Sequence, residues 1–184
     1  MDFINVKPTN ASALWQLQLE LLAKAENLFG KRDQSKKIYQ PSWDPEGPHI
    51  RYTPTKDGAF AELGDNAKSN WRLAVYHLAH ETVHLLDQHG GQQTVLLEEG
   101  AAVRFSLDMI RMYGFDITGL PDGTSYQIAL RLFDSLGDNP YQIAKNCRLS
   151  GGGFNAINSS VLNSENPDLS SDVISQLLSK PKMR

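Results

Sequence analysis

The sequence predicts an α+β fold: one mainly helical domain with a small antiparallel sheet in its N-terminal half. Three observations lead there. Apolar residues recur at helical spacing through 10–29 and again over much of 65–146. Between these regions, 37–63 alternates short strand-like runs with prolines and a turn signal. The 184 residues suffice for one substantial core, and no repeat or linker divides them, so 1–184 reads as a single domain.

The elements follow in order. Leu14, Leu17, Leu21 and Leu28 mark the apolar face of a first helix over 10–29, with Gly30 as its C-terminal cap. A polar, basic stretch comes next. Ile38-Tyr39 and His49-Ile50-Arg51-Tyr52-Thr53 are strand-like, and Pro41, Pro45, Gly47, Pro48 and Pro54 keep the pieces short. Lys56-Asp57-Gly58 turns the chain, and Ala59-Phe60-Ala61-Glu62-Leu63 returns as a partner strand. Asp65 is placed to cap a long helix reaching about Gln88, which His89-Gly90-Gly91 ends. Thr94 can start the next helix, which reaches about Tyr113 and stops at Gly114. These two helices, about 66–113, form a hairpin. The C-terminal part, about 114–184, reads as helices over 124–136 and 140–146, with Pro140 at a first helical position. The Gly-, Asn- and Ser-rich 150–160 reads as a loop, and 170–179 as a last short helix.

Composition narrows the function. Lys plus Arg is 18 against 21 Asp plus Glu, a net charge of -3 with no basic block, so no nucleic-acid partner is expected. The Lys31-Arg32 and Lys36-Lys37 pairs read as a solvated helix end. No stretch has the length of a membrane span, so no membrane association is expected. The single cysteine, Cys147, cannot form an internal disulfide, and Met1-Asp2-Phe3-Ile4-Asn5-Val6-Lys7-Pro8 lacks a signal peptide's basic and apolar regions. A cytoplasmic location is the expectation; no feature assigns an oligomeric state.

The chemistry is concentrated in His80-Glu81-Thr82-Val83-His84. In a helix, residues four apart lie about 40° apart on the wheel, one turn above the other, so the two imidazoles can bind one metal ion. Glu81 lies about 60° from His84, poorly aimed as a ligand but well placed to take a proton from a water at the ion. Chance alone gives this pattern in on the order of 1% of chains this size. Here it is flanked by Ala74, Val75, Leu78, Ala79, Val83, Leu85 and Leu86, so the helix is expected to be buried, and its polar groups then need partners. Catalytic zinc usually takes three protein ligands, and Glu98 and Glu99 on the next helix are the candidates. In a hairpin, His84 and the glutamates each stand about 7 Å from the turn, at 1.5 Å per residue, and so come level. Periodicity does not choose between them. Val95, Val103 and Ile110 flank the Glu99 face; Ala101, Phe105 and Met109 flank that of Glu98.

The motif His80-Glu81-Thr82-Val83-His84 followed by Leu97-Glu98-Glu99-Gly100-Ala101 resembles the gluzincin metallopeptidases, over about residues 71–110. The spacing from His84 to Glu99 is like that of the group's small members. The resemblance implies a zincin-like active-site hairpin holding Zn2+ by His80, His84 and Glu99, with Glu81 as general base. It also implies that Gly100 lets the helices approach closely, and that a Tyr or His in the C-terminal part stabilises the oxyanion, for which Tyr126 and Tyr141 are candidates. Glu98 stands where many members have Asn; a carboxylate there can also accept a bond from a ligand imidazole. An extended peptide or protein substrate would pair along a sheet edge, with 59–63 as the expected edge strand.

Of four further residues, the first two have two readings each. Asp87 could orient an imidazole or be a solvated residue; His77 could touch substrate or be structural. Arg104 reads as a surface ion pair with Glu98 or Asp108, and Cys147 as a packing residue. The expected function is a zinc-dependent peptidase. The alternative is a zinc-binding regulatory or effector module of the same fold without general turnover.

Overall fold

Asn10 begins the first helix: its side chain accepts the N–H of Ala13 at 3.0 Å, satisfying one of the donors a helix start leaves open. The computed structural model describes residues 2–181. Helix α1 (Ala11–Phe29) buries Leu14, Leu17, Leu21, Ala25 and Phe29 along one face and ends at Gly30. Phe29 sits at the junction of the two halves, with ring centroids 6.2 Å from Phe105, 5.7 Å from Phe154 and 5.4 Å from Tyr141.

Strands β1 (Lys37–Asp44), β2 (His49–Tyr52) and β3 (Gly58–Gly64) form a sheet in the order β1-β3-β2. The sheet is mixed. β2 pairs antiparallel with β3, as expected, but β1 runs parallel to β3. Proline explains the order. Pro41 lacks the N–H that a central strand must donate, so β1 takes an edge, with its register shifted between Tyr39 and Ser42. Pro48 adjoins β2, the other edge. The proline-free β3 lies between them and buries Ala59, Ala61 and Leu63 completely. The expected edge strand, 59–63, is therefore the centre of the sheet, and the exposed rim belongs to β1 and β2.

Helix α2 (Trp71–His84) is shorter than the periodicity suggests at both ends. Asp65–Ala67 makes only a single 3-10 turn, and the actual cap is Asn70, which accepts the N–H of Leu73 at 3.3 Å. The helix stops at His84, before Gln88. Helix α3 (Leu96–Met112) starts without a side-chain cap at Val95. Helices α4 (Thr124–Asp134) and α5 (Pro140–Gly151) follow, the latter longer than expected and closed by the left-handed Gly152. The expected loop over 150–160 is largely structured. A 3-10 turn, Phe154–Ala156, drives Phe154 fully into the core, and Asn158 caps α6 (Ser159–Glu165) by accepting the N–H of Val161 at 3.1 Å. Helix α7 (Ser171–Leu177) closes the described fold. Among the described residues no helix is long and apolar enough to cross a membrane.

Candidate metal centre

Every residue of α2 from Ala74 to His84 is buried. A helix so enclosed cannot leave two imidazoles and a carboxylate to water; they need partners within the protein. Helix α3 packs against α2 and supplies partners for the two imidazoles. The donor nitrogens face Glu99: His80 Nε2 lies 3.4 Å from Glu99 Oε2, and His84 Nε2 lies 3.8 Å from Glu99 Oε1. One ligand atom from each of His80, His84 and Glu99 lies within 4.8 Å of the other two. Glu98, one residue earlier, is fully buried behind the imidazole, where His84 Nδ1–H donates to its Oε1 at 2.8 Å. That bond leaves Nε2 of His84 to face Glu99 and the cavity. The two glutamates that periodicity left equivalent thus occupy opposite sides of one imidazole.

Two residues that the sequence did not suggest hold the carboxylates in place. His89 Nε2–H donates to the other oxygen of Glu98 at 3.1 Å, and the Thr94 hydroxyl donates to Glu99 Oε1. Thr94 had the reading of a helix start; two positions before α3, it bonds the Glu99 side chain instead. His89 gave no periodic signal because it lies in the Gly-flanked turn after α2.

His80, Glu81, His84, Glu99 and Tyr126 line a cavity of about 330 Å³, with His49, Ile50 and Tyr52 of β2 on its rim. Burial pushes the Glu81 carboxyl above the ordinary carboxylate range, against the pull of His80 and His84. At His84, burial disfavours the charged form, but Glu99, Glu98 and Glu81 outweigh it and raise the imidazole's pKa. Glu99 is affected in reverse: burial opposes its ionisation, and His84 and His80 override it. Tyr126 stands edge-on to His80 at 5.4 Å between centroids, and burial, then Glu99 and Glu81, push its phenol up to about 12. It remains a neutral donor at any physiological pH.

The other singled-out residues lie elsewhere. Tyr141 donates to Asp108 at 2.8 Å and does not line the cavity. Asp87 neither orients an imidazole nor stands solvated: Arg148 grips both its oxygens, at 2.7 and 2.6 Å, and the N–H of Phe154 donates to it at 2.9 Å. His77 is structural; its Nδ1 accepts the N–H of Gly64 at 3.3 Å. Arg104 pairs with Asp108 at 3.2 Å and with Asp134 at 3.0 Å, and Cys147 is buried. Gly100 does permit a close approach, but of α4: a Cβ there would stand 2.3 Å from the Ala129 carbonyl oxygen and 2.7 Å from Phe133 Cβ.

The donor set suits zinc. Ligand bonds of about 2.0–2.2 Å in a tetrahedron separate neighbouring donor atoms by roughly 3.3 Å. The 3.4 and 3.8 Å separations at Glu99 are close to that. Two imidazoles and one carboxylate are three of the four ligands that zinc takes.

No protein-family model, curated protein or solved structure matches this chain.

Proposed function

We propose that this chain is a zinc-dependent peptidase of the gluzincin type. One observation carries the reading: donor atoms of His80, His84 and Glu99 converge within 4.8 Å on a cavity that Glu81 also lines. His80, His84 and Glu99 would hold the ion. Bound there, zinc would supply Lewis acidity, activating a water and polarising the carbonyl of the amide to be cleaved.

The chain's own residues do the rest. Glu98 orients His84 through Nδ1 and keeps that ring's tautomer fixed. Glu81 accepts the proton of the attacking water on its carboxylate and delivers it to the leaving amine nitrogen. Its raised pKa brings it nearer the operating pH, where one group serves best as base and then acid. Tyr126, protonated and beside His80, is positioned to donate to the developing oxyanion. The substrate is a peptide or protein in extended form, pairing by main-chain hydrogen bonds with the free edge of β2, whose Ile50 and Tyr52 border the cavity. A cytoplasmic location belongs to the same proposal, since the only cysteine is free and buried.

The test is hydrolysis of a broad peptide mixture by the zinc-loaded chain, beside its His84→Ala variant. Cleavage by the wild type and none by the variant supports the peptidase. A wild type that binds zinc tightly and cleaves nothing turns the reading toward a metal-binding regulatory or effector module.

A further inference from the structure

A second constellation lies on the sheet, outside the first set of ligands. β-Sheet pairing places Ser42, Glu62 and His49 in one row across β1, β3 and β2. Residues paired across strands share a face, and Asp44, two residues beyond Ser42, shares it too. This is the face opposite Ala61 and Leu63, because side chains alternate along β3. Donor atoms of Asp44, His49 and Glu62 lie within 4.8 Å of one another.

Glu62 is the informative member. It is only 4% exposed. Its Oε1 is fully engaged, accepting from the Ser42 hydroxyl and from Arg51 Nε, each at 2.7 Å. Its Oε2 is buried and has no hydrogen-bond partner, although His49 Nε2 lies 3.2 Å away. The two atoms are at contact distance without the alignment of a hydrogen bond. A buried carboxylate oxygen left so is costly. Two donor atoms about 3.3 Å apart, neither aimed at the other, are what one shared cation at 2.0–2.2 Å from each requires. Holding one carboxylate oxygen by hydrogen bonds while the other ligates is also how metal-binding carboxylates are oriented. Arg51 does not occupy the place of the ion: it engages Oε1 and rests on the Phe60 ring at 4.1 Å.

We propose that Asp44, His49 and Glu62 form a second divalent-cation site, tying the three strands together beside the cavity. Two carboxylates and one imidazole suit Zn2+ or Mn2+. With His49 partly exposed and only one nitrogen ligand, this site is weaker than the first and fills after it. The ion would brace β2, the strand that borders the cavity. None of its three ligands is His80, Glu81, His84 or Glu99, although His49 also borders the cavity, and the metal counts below separate the two sites.

The experiment is Zn2+ titration of the chelator-stripped full chain, with bound metal measured by elemental analysis and folding checked by circular dichroism. The expected content is two per chain for wild type, one for His80→Ala, one for His49→Ala and none for the double variant. Asp44→Asn, which is half-buried and keeps its shape, should weaken the second site at least about tenfold while leaving the first intact. If His80→Ala keeps one ion and His49→Ala none, with one in the wild type, the sheet site stands and the peptidase centre fails. A His49→Ala variant that still binds two ions, or a folded His80→Ala variant that binds none, overturns the sheet site.

Discussion

Glu98 and Glu99 are sequence neighbours on α3, yet one faces the His84 Nδ1 and the other the Nε2 nitrogens. Their substitutions should therefore differ. Glu99→Ala should abolish tight zinc binding, whereas Glu98→Ala should keep the ion with affinity lowered about 10- to 100-fold, the usual effect of removing a group that orients a ligand. Competition with a chelator of known affinity measures both, and the reverse order would refute the assignment. This distinction was not legible in the sequence. Adjacent helical residues are about 100° apart, and both can lie within the broad arc that meets a packed neighbour. Which of them meets Nε2 depends on how the imidazole is rotated, a tertiary fact. The pair His80 and His84 was legible because its spacing needs only the helix itself. His89 and Thr94 were not, because they reach the site from the irregular backbone between α2 and α3, which carries no period.

At the scale of elements, helix faces were readable and sheet order was not. Leu14, Leu17 and Leu21 announce α1 by spacing alone, but the order β1-β3-β2 depends on which strand can be central. Pro41 and Pro48 held that information, and the chain's alternating pattern obscured it. Asn158 was a cap signal submerged in a Gly-, Asn- and Ser-rich run, so α6 was missed. The contacts between elements give two predictions. Gly100→Ala inserts a methyl group 2.3 Å from a carbonyl oxygen of α4, so α3 and α4 must separate. Destabilisation of about 1–3 kcal/mol by urea denaturation is expected; an unchanged midpoint would mean the helices are not so close. His77 joins β3 to α2 by accepting the Gly64 N–H, and burial, with His80, lowers its pKa to about 4. Its unfolded value is about 6.5, so the unfolded chain binds the proton first as the pH falls. The contribution is present above about pH 6.5 and lost progressively toward pH 4, on the order of 3 kcal/mol in all. His77→Gln should flatten the melting temperature's dependence across that window; an equally steep dependence would remove His77 as the cause.

Across the whole molecule, one buried arginine joins parts that are distant in sequence. Arg148 of α5 donates to the Phe29 carbonyl at the end of α1 and to the Lys31 carbonyl beyond it, each at 3.0 Å, and to the Leu86 carbonyl at 3.3 Å, while both oxygens of Asp87 hold it. It thereby fixes the exit of α2 against the C-terminal half. Arg148→Met keeps the bulk but removes the charged partner of Asp87, which keeps only the Phe154 N–H, and one donor each from the Phe29, Lys31 and Leu86 carbonyls. A loss of about 3–5 kcal/mol in chemical denaturation is expected, the scale for breaking a buried pair from one side; a loss under about 1 kcal/mol would show that the clamp is not what holds the halves. Asp87 has only local readings in the sequence because its partner lies 61 residues away.

In the proposed peptidase, His80, His84 and Glu99 hold zinc while Glu81 moves the proton. The most direct measurement pairs zinc content at the α2–α3 site with the rate of peptide hydrolysis for wild type and Glu81→Gln. Glutamine keeps the shape of the side chain and removes the proton acceptor. The variant should bind zinc at this site with wild-type stoichiometry and cleave a broad peptide mixture at least about 100-fold more slowly. A variant that cleaves at the wild-type rate, or one that loses its zinc, would contradict it.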